Sequence, residues 1–221
     1  VRILVACEYS GVVRDAFAAV GNDAWSCDLE PSERPGQHYQ GDVRDILDQG
    51  WDLMVAHPPC DHLANSGRAH FAAKKADGRQ QAALDFVALL LDAPIPKIAL
   101  ENPMGIIATS LGRPVTQTIQ PWMFGQDASK ATCLWLKGLP RLQPTDVLVK
   151  KRYTNQYDNG APKELGVPRH LRARERARTF PGIAAAMADQ WGRGQGVVDP
   201  GCGRLARSFR HRQSCPRCVN A

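Results

Sequence analysis

The chain has 221 residues, 43% of them hydrophobic, enough for one well-buried α/β domain with a small appendage. No apolar run approaches the roughly 20 residues that carry a helix across a bilayer, which excludes a helical membrane span. Lysine and arginine number 28 against 22 aspartates and glutamates, and the net charge of +6 favours a polyanionic partner, nucleic acid first, over a merely basic soluble protein.

In chain order, Val1-Arg2-Ile3-Leu4-Val5 is too short for a signal-peptide core and reads as a first strand. Its start at valine implies a removed or missing initiator methionine. Cys7-Glu8-Tyr9-Ser10-Gly11 then makes a tight strand-to-helix turn, whose amides and helix N-terminus can receive a polar ligand. The following helix carries Val12, Val13, Ala16, Phe17 and Val20 on one face and ends at Gly21. Residues 24–27 form a second strand ending in Asp28, which lies about 20 residues on, where doubly wound folds keep a ribose-binding acid. Gly41-Asp42 precedes a short helix through Ile46 and Leu47, and Asp42 is suited to an adenine amino group.

Residues 53–56 are a third apolar strand, 79–91 a strongly apolar helix, and 98–100 a strand running into Glu101-Asn102-Pro103. Residues 116–120 and 131–136 have strand-like patterns. A polar stretch with Gly160 and Pro162 predicts a surface loop over 150–169, a basic helix follows over 168–178, and a short amphipathic helix covers 182–191. This alternation specifies an α/β fold: a doubly wound, mostly parallel sheet. Residues 1–143 form its core, 144–168 a short recognition segment, 169–192 the closing helices and 193–221 a basic tail. Glu8, Asp28, Asp42, Cys60 and Glu101 all fall at C-terminal strand ends, the edge where such sheets bind ligands.

Cys60 sits in His57-Pro58-Pro59-Cys60, on a rigid turn at the end of the apolar strand 53–56. It is either an activated nucleophile or a buried, inert thiol. The polar, glycine-containing segment 61–68 after it is expected to be a mobile loop over a substrate. Glu101 ends a nearby strand, where burial can hold its carboxyl protonated to hydrogen-bond a ring nitrogen; a plain strand-end acid is the other reading. The seven cysteines are odd in number and lack a framework spacing, which argues against a secreted disulfide scaffold and for a reducing cytoplasm.

The ordered set Gly41-Asp42, Pro58-Pro59-Cys60 and Glu101-Asn102 resembles the DNA (cytosine-5)-methyltransferase family, in particular its compact phage and prophage members, over roughly residues 2–192. The resemblance implies a Rossmann-like fold and S-adenosylmethionine as cofactor. It implies that Cys60 adds to carbon 6 of a cytosine in DNA, with Glu101 on N3 and Asn102 beside it. Lys130 and Thr132 stand where the family has the arginines of Gln-x-Arg-x-Arg. Cys7, Glu8, Tyr9, Ser10 and Gly11 stand at its cofactor loop, with Glu8 in place of a glycine. Asp28 and Leu29 stand at its ribose position, Asp42 and Val43 at its adenine position, Pro58 beside them, and Gln190 and Gly192 in its closing segment.

The cytosine must be flipped out of a duplex or already single-stranded. Arg68, Arg169, Arg172, Arg174, Arg176 and Arg178 are the expected phosphate contacts, although alternating arginines cannot all share one helical face. Cys202, His211, Cys215 and Cys218 include a Cys-x-x-Cys knuckle spacing that raises a zinc site. The short, arginine-bearing stretch between Cys202 and His211 favours a basic tail without metal.

Overall fold

A computed structural model describes residues 1–149 and 177–193. The central strands are apolar throughout because both their faces are covered. In β4 (Leu53–Ala56) every residue is buried, and in β1 (Arg2–Ala6) only Arg2 is not. Five strands run parallel, β2 (Asp23–Asp28), β3 (His38–Gln40) and β5 (Lys97–Pro103) joining these two. Two more, β6 (Gln117–Ile119) and β7 (Thr132–Lys137), complete a seven-stranded sheet in the order β3-β2-β1-β4-β5-β7-β6. Only β7 is reversed, pairing antiparallel with both β5 and β6. The doubly wound, mostly parallel architecture expected from the sequence is the one observed.

Alternation of side chains along each strand divides the core in two. Ile3, Val5, Leu53, Val55 and Ala99 face α1 (Val12–Ala19) and α5 (Pro181–Met187). Leu4, Ala6, Met54, Ala56, Ile98 and Leu100 face the layer of α3 (Arg79–Leu91). Shorter helices, α2 (Phe71–Ala76) and α4 (Ile107–Leu111), flank α3. The chain changes direction of winding between β1 and β4, so a crevice opens at their C-terminal ends.

The helix expected over 79–91 has those bounds. The helix expected over 182–191 is α5, continued by a π-helical turn at Ala188–Gly192. After Asp42 there is only a single 3-10 turn, Val43–Asp45. The expected loop over 150–169, the basic helix but for Ala177 and Arg178, and the tail from 194 onward lie outside the described residues. So do Arg169, Arg172, Arg174, Arg176, Cys202, His211, Cys215 and Cys218. Among the described residues no helix is long and apolar enough to cross a membrane.

Candidate active site

Two strand ends meet at the crevice. The His57 amide donates to the Ala6 carbonyl at 2.9 Å, extending the β1–β4 pairing by one bond before the two prolines force the chain to turn. On the neighbouring strand, β5 outruns β4: Ala56 opposite Leu100 is the last pair, and Glu101 and Asn102 continue against β7 alone. Asn102 is buried and its Nδ2 donates to the Pro58 carbonyl at 2.9 Å, bridging 44 residues of sequence. His57 Nδ1 lies 3.0 Å from Glu101 Oε2, with both side chains largely buried. Cys60, half-buried, therefore sits on a turn that β5 holds by two side-chain contacts.

The segment after Cys60 is not a free loop. The Leu63 and Ala64 amides donate to the Cys60 carbonyl at 3.0 and 2.9 Å, and the Leu63 side chain is fully buried. Asn65 N donates to Met104 O at 2.9 Å and Ile106 N to Leu63 O at 3.1 Å, sewing this segment to the one after Glu101-Asn102. Gly105 permits the approach, since a β-carbon there would stand 2.1 Å from the Leu63 carbonyl oxygen. Arg68 is exposed on the 3-10 turn Asn65–His70 beyond this seam.

The electrostatics correct one expectation. Burial is the largest influence on Glu101 and pushes its carboxyl up. The hydrogen bond and charge of His57, the Lys130 ammonium and the Thr132 hydroxyl together outweigh it, so the group titrates below the ordinary carboxylate value and rests ionised. Cys60 moves the other way: burial, then Asp61 and Glu101, push its thiol up against the pull of Lys130, so it rests protonated. Thr132 is buried on β7, its hydroxyl oxygen 3.2 Å from the Lys130 carbonyl, and the Lys130 amide is held by Gln120 Oε1 at 2.9 Å. These two residues thus belong to the Glu101 surroundings.

A cavity of about 260 Å³ opens beside this centre, lined by Cys7, Cys27, Asp28, Leu29, Gly41, Asp42, Val43, Arg44, Pro59 and Phe86. Cys7, Asp28, Leu29, Asp42 and Val43, expected to bind a cofactor, are brought together in this lining. Asp28 Oδ1 receives the Glu30 amide at 3.0 Å, and burial raises its pKa. Asp42 caps the 3-10 turn through the Arg44 amide and pairs with the Arg44 guanidinium, each at 3.0 Å. Leu29 is 72% exposed along this wall. Cys7 has a left-handed backbone, φ 59°, which turns the chain out of β1 toward the cavity. Phe86 and Arg44 were not foreseen; the apolar stretch 79–91 signals a helix but not which residue faces a ligand.

The other seven expected cofactor residues do not line this cavity. The Glu8 carboxylate fills the α1 N-terminus. Glu8 Oε1 accepts from Val13 N at 2.7 Å and from the Ser10 hydroxyl at 3.0 Å, and Oε2 accepts from Arg14 N at 3.3 Å. A carboxylate in that place satisfies amides that would otherwise be orphaned and complements the helix dipole. Ser10 is committed to the same network, and Tyr9 O receives the Glu33 amide at 2.9 Å. Gln190 exchanges two hydrogen bonds with the Gln143 backbone, and Gly192 packs against Phe17 and Asn22. Pro58 is buried behind the cavity wall that Pro59 forms, and Gly11 abuts Arg14. Arg178, an expected phosphate contact, is engaged by Glu33 at 2.7 Å.

No protein-family model matches the chain, and neither does any curated protein sequence. It is similar to a number of solved structures, among them the following three. One is described as a DNA modification methyltransferase encoded within an E. coli prophage, at 14% identity and TM-score 0.45, covering 67% of this chain and 52% of that one. Entamoeba histolytica methyltransferase EhMeth follows at 12% identity and TM-score 0.44, covering 67% and 57%. The Dnmt2 methyltransferase of S. pombe has 16% identity and TM-score 0.38, covering 63% and 50%. The chain spans about half the length of these structures.

Proposed function

We propose that this chain transfers a methyl group from S-adenosylmethionine to carbon 5 of cytosine in DNA, through a covalent bond between Cys60 and carbon 6. The observation that carries this reading is the junction of the Cys60 turn with Glu101 and Asn102, held by Asn102 on Pro58 and His57 on Glu101 at the mouth of the sheet. A thiol and a carboxylate fixed on adjoining strand ends suit attack on one position of a pyrimidine ring and hydrogen bonding at another.

The adjoining cavity suits a nucleoside. Leu29, Val43 and Phe86 offer apolar surface to a purine, and the Asp28 and Asp42 carboxylates offer acceptors to ribose hydroxyls and an exocyclic amine. S-adenosylmethionine, when bound, supplies an electrophilic methyl group. The protein's own part is to fix the ring with Glu101 and Asn102, activate carbon 5 by adding Cys60 at carbon 6, and release the product by eliminating Cys60. Pro59, shared between the cavity wall and the Cys60 turn, keeps the two sites adjacent.

Incorporation of tritium from methyl-labelled S-adenosylmethionine into DNA, RNA and dCMP tests both reaction and substrate. DNA is expected to be labelled, and the Cys60→Ser variant is expected to label nothing. Equal labelling by Cys60→Ser removes the mechanism, and labelling of RNA or dCMP alone removes the substrate.

A second reading has one observation in its favour: Glu8 closes the α1 N-terminus where the resemblance implies a glycine-rich cofactor loop. A methyltransferase fold of this kind can grip nucleic acid without catalysis. Calorimetric titration with S-adenosylmethionine separates the two, since binding supports transfer and its absence supports a pure binder.

A further inference from the structure

His57 belongs to the most informative tetrapeptide of the chain, yet nothing in the Cys60 chemistry requires a histidine before two prolines. Its backbone is pinned by β1 through the Ala6 carbonyl, and its ring reaches across to β5. Only 9% of the side chain is exposed, and Nε2 is fully buried with no hydrogen-bond partner among the described residues. Buried polar atoms without partners are rare in folded proteins and concentrate where function needs the group. An ionised carboxylate has only acceptors, so with Glu101 ionised the 3.0 Å contact has Nδ1 carrying the hydrogen and donating to Glu101 Oε2.

We propose that His57 is the positioning residue of Glu101, fixing its carboxylate in one orientation so that Glu101 receives the Cys60 proton. The inference rests on the pyrimidine-attack reading given above. The step balances without an outside acid or base. The Sγ–H bond of Cys60 breaks and its proton passes to Glu101 as sulfur bonds to carbon 6. The electron pair of the ring's 5,6 double bond is displaced toward N3, which takes the proton from Glu101. Groups facing Glu101 come from every side: His57 from the turn after β4, Lys130 and the Thr132 hydroxyl from β7 and its approach, and the Cys60 and Cys133 thiols. The His57 ring is in direct contact with Glu101, Nδ1 lying 3.0 Å from Oε2. With Cys60 resting as a thiol and Glu101 as a carboxylate, the proton and its acceptor are both in place before the base binds.

The test is a pH titration of the glutamate side-chain carboxyl carbons by NMR, with Glu101 assigned through Glu101→Gln. In the unaltered protein Glu101 is expected to titrate below the ordinary glutamate range. In His57→Phe its midpoint is expected to rise by about one to three pH units, because burial is then less opposed. His57→Asn, which keeps a donor near the Nδ1 position, is expected to restore most of the low value. The acid limb of kcat/KM for methyl transfer is expected to rise in step with the carboxyl. An ordinary or raised Glu101 midpoint in the unaltered protein overturns the proposal without need of any variant. So does an acid limb that stays in place in His57→Phe. Loss of all methyl transfer in the unaltered protein refutes the functional reading instead, and the carboxyl titration still decides the coupling.

Discussion

At the scale of single residues, the site is governed by opposed protonation preferences. Burial pushes the Cys27 thiol up to about 12, and Cys7 is raised as well, again chiefly by burial with Asp28 adding to it. Neither is a nucleophile near neutral pH. Alkylation with iodoacetamide followed by peptide mapping is expected to modify Cys60 before Cys7, Cys27 or Cys133, with a rate that climbs as pH rises into and beyond the ordinary thiol range. Rapid, pH-independent modification of Cys60 at neutral pH contradicts its resting as a thiol. Glu101 is depressed in the folded chain relative to the unfolded one, so it contributes stability above the ordinary carboxylate range and loses it as pH falls through the folded value. Urea unfolding is expected to show Glu101→Gln less stable than the unaltered protein at pH 7, with the difference shrinking in acid. A constant difference at both pH values contradicts that linkage.

At the scale of elements, the seam between residues 60–65 and 104–106 decides whether Cys60 and Glu101 stay together. Gly105→Ala drives a β-carbon into the Leu63 carbonyl, and backbone cannot yield there as a side-chain tip can. It is expected to cost about 1–3 kcal/mol by chemical denaturation. It is also expected to reduce methyl transfer more than S-adenosylmethionine binding, since the cavity lies on the other side of the turn. The periodic elements were legible in the sequence because their patterns are local: α3 is a 13-residue stretch rich in alanine and leucine, and β1, β4 and β5 are short apolar runs leading into polar residues. Long-range side-chain pairings were not. His57 with Glu101 spans 44 residues, and no spacing rule links them. Glu8 reads as a ligand contact until α1 is seen to turn its amides onto it. Arg14, which no sequence pattern singles out, is 1% exposed and its guanidinium meets Asp15, Ser26, Ser32 and the carbonyls of Arg34 and Pro35. It organises residues 26–35 behind Leu29, so Arg14→Met is expected to destabilise the fold by about 3–5 kcal/mol, read by the same denaturation.

At the scale of the whole molecule, the sheet order brings a nucleoside-sized cavity at the β1–β2 ends next to a thiol and carboxylate at the β4–β5 ends. That adjacency is what the sequence made legible through residues at strand ends, while their partners depended on tertiary packing. The net charge of +6 belongs to this scale too. Binding to a duplex of arbitrary sequence is expected to weaken steeply between low and moderate salt, because a small reader relies on phosphate contacts. An affinity that holds constant over that range removes the electrostatic account. The central claim is the chemistry at Cys60, and bisulfite sequencing of plasmid DNA from cells expressing the protein tests it directly. The account predicts cytosines protected from conversion at a short recurring site, and full conversion when Cys60→Ser is expressed instead. Full conversion with the unaltered protein, or the same protection with Cys60→Ser, contradicts it.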